Sequence, residues 1–168
     1  MKALLERLST PRWVLYCSIA YFMGQATMML SVGEVMSDLL RLQLAFTPET
    51  YHAITEQWSP NEWVQYQRHF LPDFFFPWLY AIFLFSWLAR HLLLAGKTGV
   101  WNAFLLLPWM SAFADCVENL LHLWMIQSPE LVSLLITGCS LISLFKWLVA
   151  LGLVLVLSAL ELVRLRSR

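Results

Sequence analysis

The stretch VWNAFLLLPWMSAFADCVENLLHLWMI, residues 100–126, decides how this chain folds. At about 1.5 Å of rise per residue, a helix of this length exceeds the ~30 Å hydrocarbon layer of a bilayer. Its polar residues are not scattered. Asp115, Glu118, Asn119 and His122 stand at i, i+3, i+4 and i+7, and Ser111 adds one turn, so they share one helix face. Turned to lipid, a charged side chain costs about 2.5 kcal/mol or more. The stripe must therefore face other helices or a wet cavity, and the helix must belong to a bundle.

Three further apolar runs supply the neighbours, at about 13–32, 73–94 and 131–157. The chain is 60% hydrophobic and 13% charged, about half the charged share of an ordinary soluble domain. The expected fold is an all-α integral membrane four-helix bundle, with residues 1–168 forming one membrane domain. Net charge is zero, so nothing creates a basic field for nucleic acid. The first run is too long for a signal-peptide core and no small-residue cleavage pattern follows it, so it reads as an uncleaved anchor.

Segment 33–72 differs in kind. It is polar and acidic, with two helix-start signals, Thr47-Pro48-Glu49 and Ser59-Pro60-Asn61-Glu62. Its leucines and aromatics (Leu39, Leu42, Trp58, Trp63, Tyr66) predict short amphipathic helices lying over the bundle at the membrane surface. Short connections, Gly96-Lys97-Thr98-Gly99 and Gln127-Ser128-Pro129-Glu130, make the last three spans antiparallel neighbours, with a kink expected at Pro108. Lysine and arginine set the orientation. Lys2, Arg7, Arg12, Arg90, Lys97, Arg164, Arg166 and Arg168 fall on one side, against Arg41 and Arg68 on the other. Both termini are expected in the cytoplasm and 33–72 outside, in a bacterial inner membrane or a plasma membrane. In plan, one span, a helical segment and three closely spaced spans, the chain resembles small sterol-isomerase-like and sigma-2-like membrane proteins. The likeness is architectural and carries no residue assignments.

Lys146, near the middle of the fourth span, is the second anomaly. Its ammonium needs a carboxylate partner, and Asp115 matches it in depth, with Gln25 of the first span at a similar level. A third group, Glu34, Asp38, His69 and Asp73, gathers at one end of the first two spans, and Tyr80 follows Asp73 two turns on. The His-x-x-x-Asp and Glu-x-x-x-His spacings are too permissive to assign a metal, and no metal or other cofactor is expected. Cys17, Cys116 and Cys139 form no CxxC pair and read as packing residues. Trp13, Trp58, Trp63, Trp78, Trp101 and Trp124 read as an interfacial aromatic belt. Phe74-Phe75-Phe76 beside Asp73 suggests the mouth of a site for a flat or acyl ligand.

These residues point to a lipid or other hydrophobic small molecule bound at an intramembrane polar site open to the outer leaflet. Ligand contacts are expected from Asn119, Asp73, Tyr80, Phe74 and His69. Acid–base chemistry would rest on Glu118, with His122 as its partner and Asp115 beside them. Asp115 and Lys146 would form a structural ion pair. Two other classes compete. A proton- or ion-coupled transporter of only four spans would need a homo-oligomer, and a non-catalytic assembly subunit would use the stripe only to lock helices together.

Overall fold

The protein is described by a computed structural model covering residues 2–97 and 99–166, with side chains from Leu5 onward. Thr98 of the first turn and Arg168 of the basic tail lie outside the described residues. The described residues form helices joined by short turns, without strands. After α1 (Lys2–Leu8), α2 spans Pro11–Val32, opened by Thr10, whose hydroxyl accepts the Trp13 N–H at 3.3 Å. Gly33 ends it with φ +59°, a left-handed conformation that disfavours any side chain. A Cβ there would also meet Gln65 Oε1 at 2.8 Å, and that oxygen accepts the Glu34 N–H at 2.9 Å. The chain turns through a 3-10 segment, Gly33–Val35, into α3 (Met36–Gln43).

Two short helices follow, α4 (Pro48–Thr55) capped by Thr47, and α5 (Pro60–Asp73) opened by a full capping box between Ser59 and Glu62. Then come α6 (Phe76–Leu94), a 3-10 segment Gly99–Leu106, α7 (Leu107–Gln127) and α8 (Val132–Arg166). Among the described residues, four stretches are long and apolar enough to cross a membrane: Pro11–Gln43, Phe76–Leu94, Gly99–Gln127 and Pro129–Arg166. The all-α bundle with short helices between its first two spans is the fold expected.

Its boundaries differ at the first apolar stretch, which runs on through the 3-10 turn to Gln43, at α8, which continues to Arg166 rather than ending near 157, and at two prolines. Asp73 is the last residue of α5 rather than the first of a span. Pro72 is tolerated in that last turn, and the second span begins only at Phe76, with Pro77 in its first turn. Pro108 does not kink a continuous helix. It sits in the first turn of α7, where its missing N–H leaves no bond unmade, and the preceding turn is wound as 3-10.

One apolar cluster lies under the cap made by α3–α5. Leu42, Tyr51, Ile54, Trp58, Tyr66 and Phe70 pack there on Met125, Ile136 and Cys139 of α7 and α8. Trp58 therefore leaves the expected aromatic belt. It is only 7% exposed and donates its indole N–H to Asp38 Oδ2 at 3.0 Å. A second cluster, around Leu84, Leu88, Ala112, Leu153 and Leu157, fills the other end of the bundle. There Arg90 donates to the Ser9 carbonyl at 3.4 Å, and His91 Nε2 lies 3.2 Å from Glu161 Oε2. The packing is uneven. Helix α7 runs along α8 and α6, while α2 leans on α6 and α5 and scarcely meets α8. That gap positions the site.

Candidate functional site

The polar stripe of α7 faces inward over its whole length. Ser111, Asp115, Glu118, Asn119 and His122 are all buried, while Met110, Phe113, Leu120 and Trp124 occupy the outward face. Opposite them, α8 presents Cys139, Ser143 and Lys146, spaced i, i+4 and i+7 and all buried. The expected Asp115–Lys146 pair is present, and it is half of a larger contact. Lys146 Nζ lies 2.7 Å from Asp115 Oδ1 and also 2.7 Å from Glu118 Oε2. One ammonium thus bridges two carboxylates a single helical turn apart.

Further bonds fix this bridge. Tyr80 of α6 donates its hydroxyl to Asp115 Oδ2 at 3.2 Å and lies 3.3 Å from Ser111 Oγ, which donates to the Lys146 carbonyl at 3.1 Å. Asn119 Nδ2 donates to the Asp73 carbonyl at 3.3 Å, tying α7 to the end of α5. His69 donates from Nδ1 to the Tyr66 carbonyl, which turns its Nε2 toward Asp73 Oδ2, 3.9 Å away. Burial depresses the His69 imidazole to about 4, beyond what the Tyr66 hydrogen bond restores. His69 is therefore neutral near pH 7 and gives the Asp73 carboxyl no ion pair.

Beside this cluster lies a cavity of about 430 Å³. Its charged end is formed by Asp73, Asp115 and Lys146 with the neutral His69 beside them, and its walls are largely apolar, including Met28, Phe76, Phe83, Leu84, Ala150 and Val154. Tyr21 and Gln25 of α2 border one side and Trp147 and Leu151 of α8 the other, so the cavity occupies the gap where those helices do not pack together. Above it, Trp147 Nε1 donates to Gln43 Oε1 at 3.0 Å and ties α3 to α8.

The structure sorts the residues singled out from sequence into two groups. Asp73, His69, Tyr80, Asp115 and Lys146 line the cavity, and Gln25 joins them. Glu118, Asn119 and His122 stand behind that wall, and Phe76 rather than Phe74 faces the cavity; Phe74 packs against the cap cluster. The reason is geometric. The Lys146 side chain, reaching across from α8, ends between Asp115 and Glu118 and screens the second from the cavity. Sequence reading missed Gln43 and Trp147, although a tryptophan beside an intramembrane lysine was a signal for a polar contact at that depth.

No group of three or more His, Cys, Asp or Glu side chains among the described residues is arranged to hold a metal ion. Cys17 and Cys139 are buried and Cys116 is partly so, all as free thiols. Compared with known proteins, the chain matches no family model, no curated protein and no solved structure.

Proposed function

We propose that this chain binds a lipid or other hydrophobic small molecule inside the bilayer, seated between α2 and α8 with its polar end against Asp73, Asp115 and Lys146. The observation that carries this reading is the cavity itself, apolar along its walls and charged at one end. Ligand sites have this character, with mostly apolar lining and a few convergent polar groups that fix orientation. A cavity between helices that do not pack together opens toward the hydrocarbon, so a membrane-dissolved molecule reaches it without crossing water. The chemistry such a site favours is proton transfer. Asp73 and Asp115 are carboxylates at the wall, Tyr80 is hydrogen-bonded to one of them, and Glu118 is linked to the same ammonium.

In this reading the cap lies on the outer face of a bacterial inner membrane or plasma membrane, following the eight-to-two bias of lysine and arginine. Labelling of single added cysteines with an impermeant maleimide in intact cells tests it. Thr50→Cys reacts from outside and Lys97→Cys does not, and the reverse pattern turns the site over. Ligand binding is tested by native mass spectrometry of the detergent-purified protein, which should release a co-purified lipid or small molecule. Repeated preparations that carry nothing, even after incubation with total membrane lipid, favour the assembly-subunit reading.

A further inference from the structure

Behind the Lys146 wall lies a set of polar atoms that do not line the ligand cavity. His122 is 3% exposed, and neither of its ring nitrogens has a hydrogen-bond partner among the described residues. The Tyr66 hydroxyl is equally buried and equally unpartnered. The two rings meet edge to face, with centroids 6.2 Å apart and planes at 84°. Glu118 Oε1 lies 4.0 Å from His122 Nε2, while its other oxygen is held by Lys146. The cap aromatics Trp58, Trp63 and Phe70 pack around Tyr66 and close the locus from above.

Buried polar atoms in folded proteins are almost always hydrogen-bonded, to protein or to ordered water. A gap of 4.0 Å is too long for a direct hydrogen bond. Two hydrogen bonds of about 2.8 Å meeting near a right angle span such a gap, which is the geometry of a bridging water. We propose that the space among Tyr66, Glu118 and His122 is a water-binding pocket, separate from the ligand cavity. One water donates to Glu118 Oε1 and to the unprotonated ring nitrogen of His122, and it accepts a hydrogen bond from the Tyr66 hydroxyl. Three such bonds are typical of an internal water. The pocket holds Glu118 in the rotamer that keeps Oε2 on Lys146, so the ammonium stays shared between two carboxylates. None of this depends on whether the cavity binds a ligand.

The test uses the sign of one stability change. Tyr66→Phe keeps the ring and removes the hydroxyl. If that hydroxyl bonds to water, its loss lowers the melting temperature in detergent by about 2–4 °C. If the hydroxyl is simply stranded, its removal relieves a desolvation cost, and a higher or unchanged melting temperature overturns the proposal. An experimental structure in which internal waters are visible should show density within hydrogen-bond distance of both Glu118 Oε1 and His122. Waters elsewhere in the bundle but none here overturn it as well. Melting in sodium chloride and in choline chloride at equal ionic strength should give the same value. A sodium-dependent rise that disappears in Tyr66→Phe identifies a bound cation instead of water, and rejects the inference.

Discussion

Two histidine–carboxylate pairs sit one helical turn apart in this protein, and they have different neighbours. His69 and Asp73 end α5, with 3.9 Å between Nε2 and Oδ2; Glu118 and His122 lie within α7, 4.0 Å apart. Both histidines are buried, and the spacing in sequence is the same, four residues. The first pair lines the cavity. The second is covered by Lys146 of α8 on one side and by Tyr66 of α5 on the other. The difference teaches that residue type and helical spacing place a polar pair inside a bundle, but neighbouring helices decide whether it opens onto a cavity. The largest way to break the comparison is to remove the side chain dividing the two regions. Lys146→Met strands Asp115 and Glu118 together and should destabilise the protein by about 3–5 kcal/mol, read as thermal stability in detergent. Adding Asp115→Asn recovers only part of that loss, because Glu118 remains unpaired, and adding Glu118→Gln as well recovers most of it. Full recovery by Asp115→Asn alone means that Glu118 carries no share of the ammonium.

A smaller effect tests the cavity side alone. Ala150→Trp projects an indole into the space bordered by α8 and should weaken ligand retention at least about tenfold, or about 1.4 kcal/mol. Its melting temperature without ligand should change little, since Ala150 is partly exposed. Undiminished retention would move the ligand out of this cavity. Next, Asp73→Asn and Glu118→Gln separate the two regions directly. Each keeps size and most hydrogen-bonding capacity while removing a charge. Asp73→Asn should reduce retention and leave stability nearly intact, whereas Glu118→Gln should lower stability and leave retention nearly intact. The opposite assignment restores Glu118 as the residue that meets the ligand.

The smallest expected effect is a pH dependence. The His69 pKa in the folded protein is depressed to about 4, below the usual value of about 6.5 for an exposed histidine. The unfolded chain therefore takes up this proton first as pH falls. The stability tied to neutral His69 is complete above about pH 6.5 and is lost progressively as the pH drops toward 4. Melting temperature measured across that window should decline in the wild type and decline less in His69→Asn. Equal slopes would show that another group carries the dependence.

Much of this was legible in the sequence because it follows from local arithmetic. Run length against bilayer thickness gave four stretches able to cross, Thr47 and Ser59 marked helix starts that are present, and the penalty for charge in lipid turned the α7 stripe inward. That penalty also required a partner for Lys146, and Asp115 is one. Tertiary structure alone decided the rest. Lys146 reaches both Asp115 and Glu118 because α7 and α8 pack along their length, and a flexible side chain can then reach two residues one turn apart on its neighbour. Asp73 ends a cap helix, and Trp58 leaves the surface for Asp38, because α3–α5 fold back over the bundle. The cavity exists because α2 leans on α5 and α6 and leaves α8. Periodicity tells each helix which face to bury, but in a membrane, where lipid is as apolar as another helix, it does not say against which neighbour.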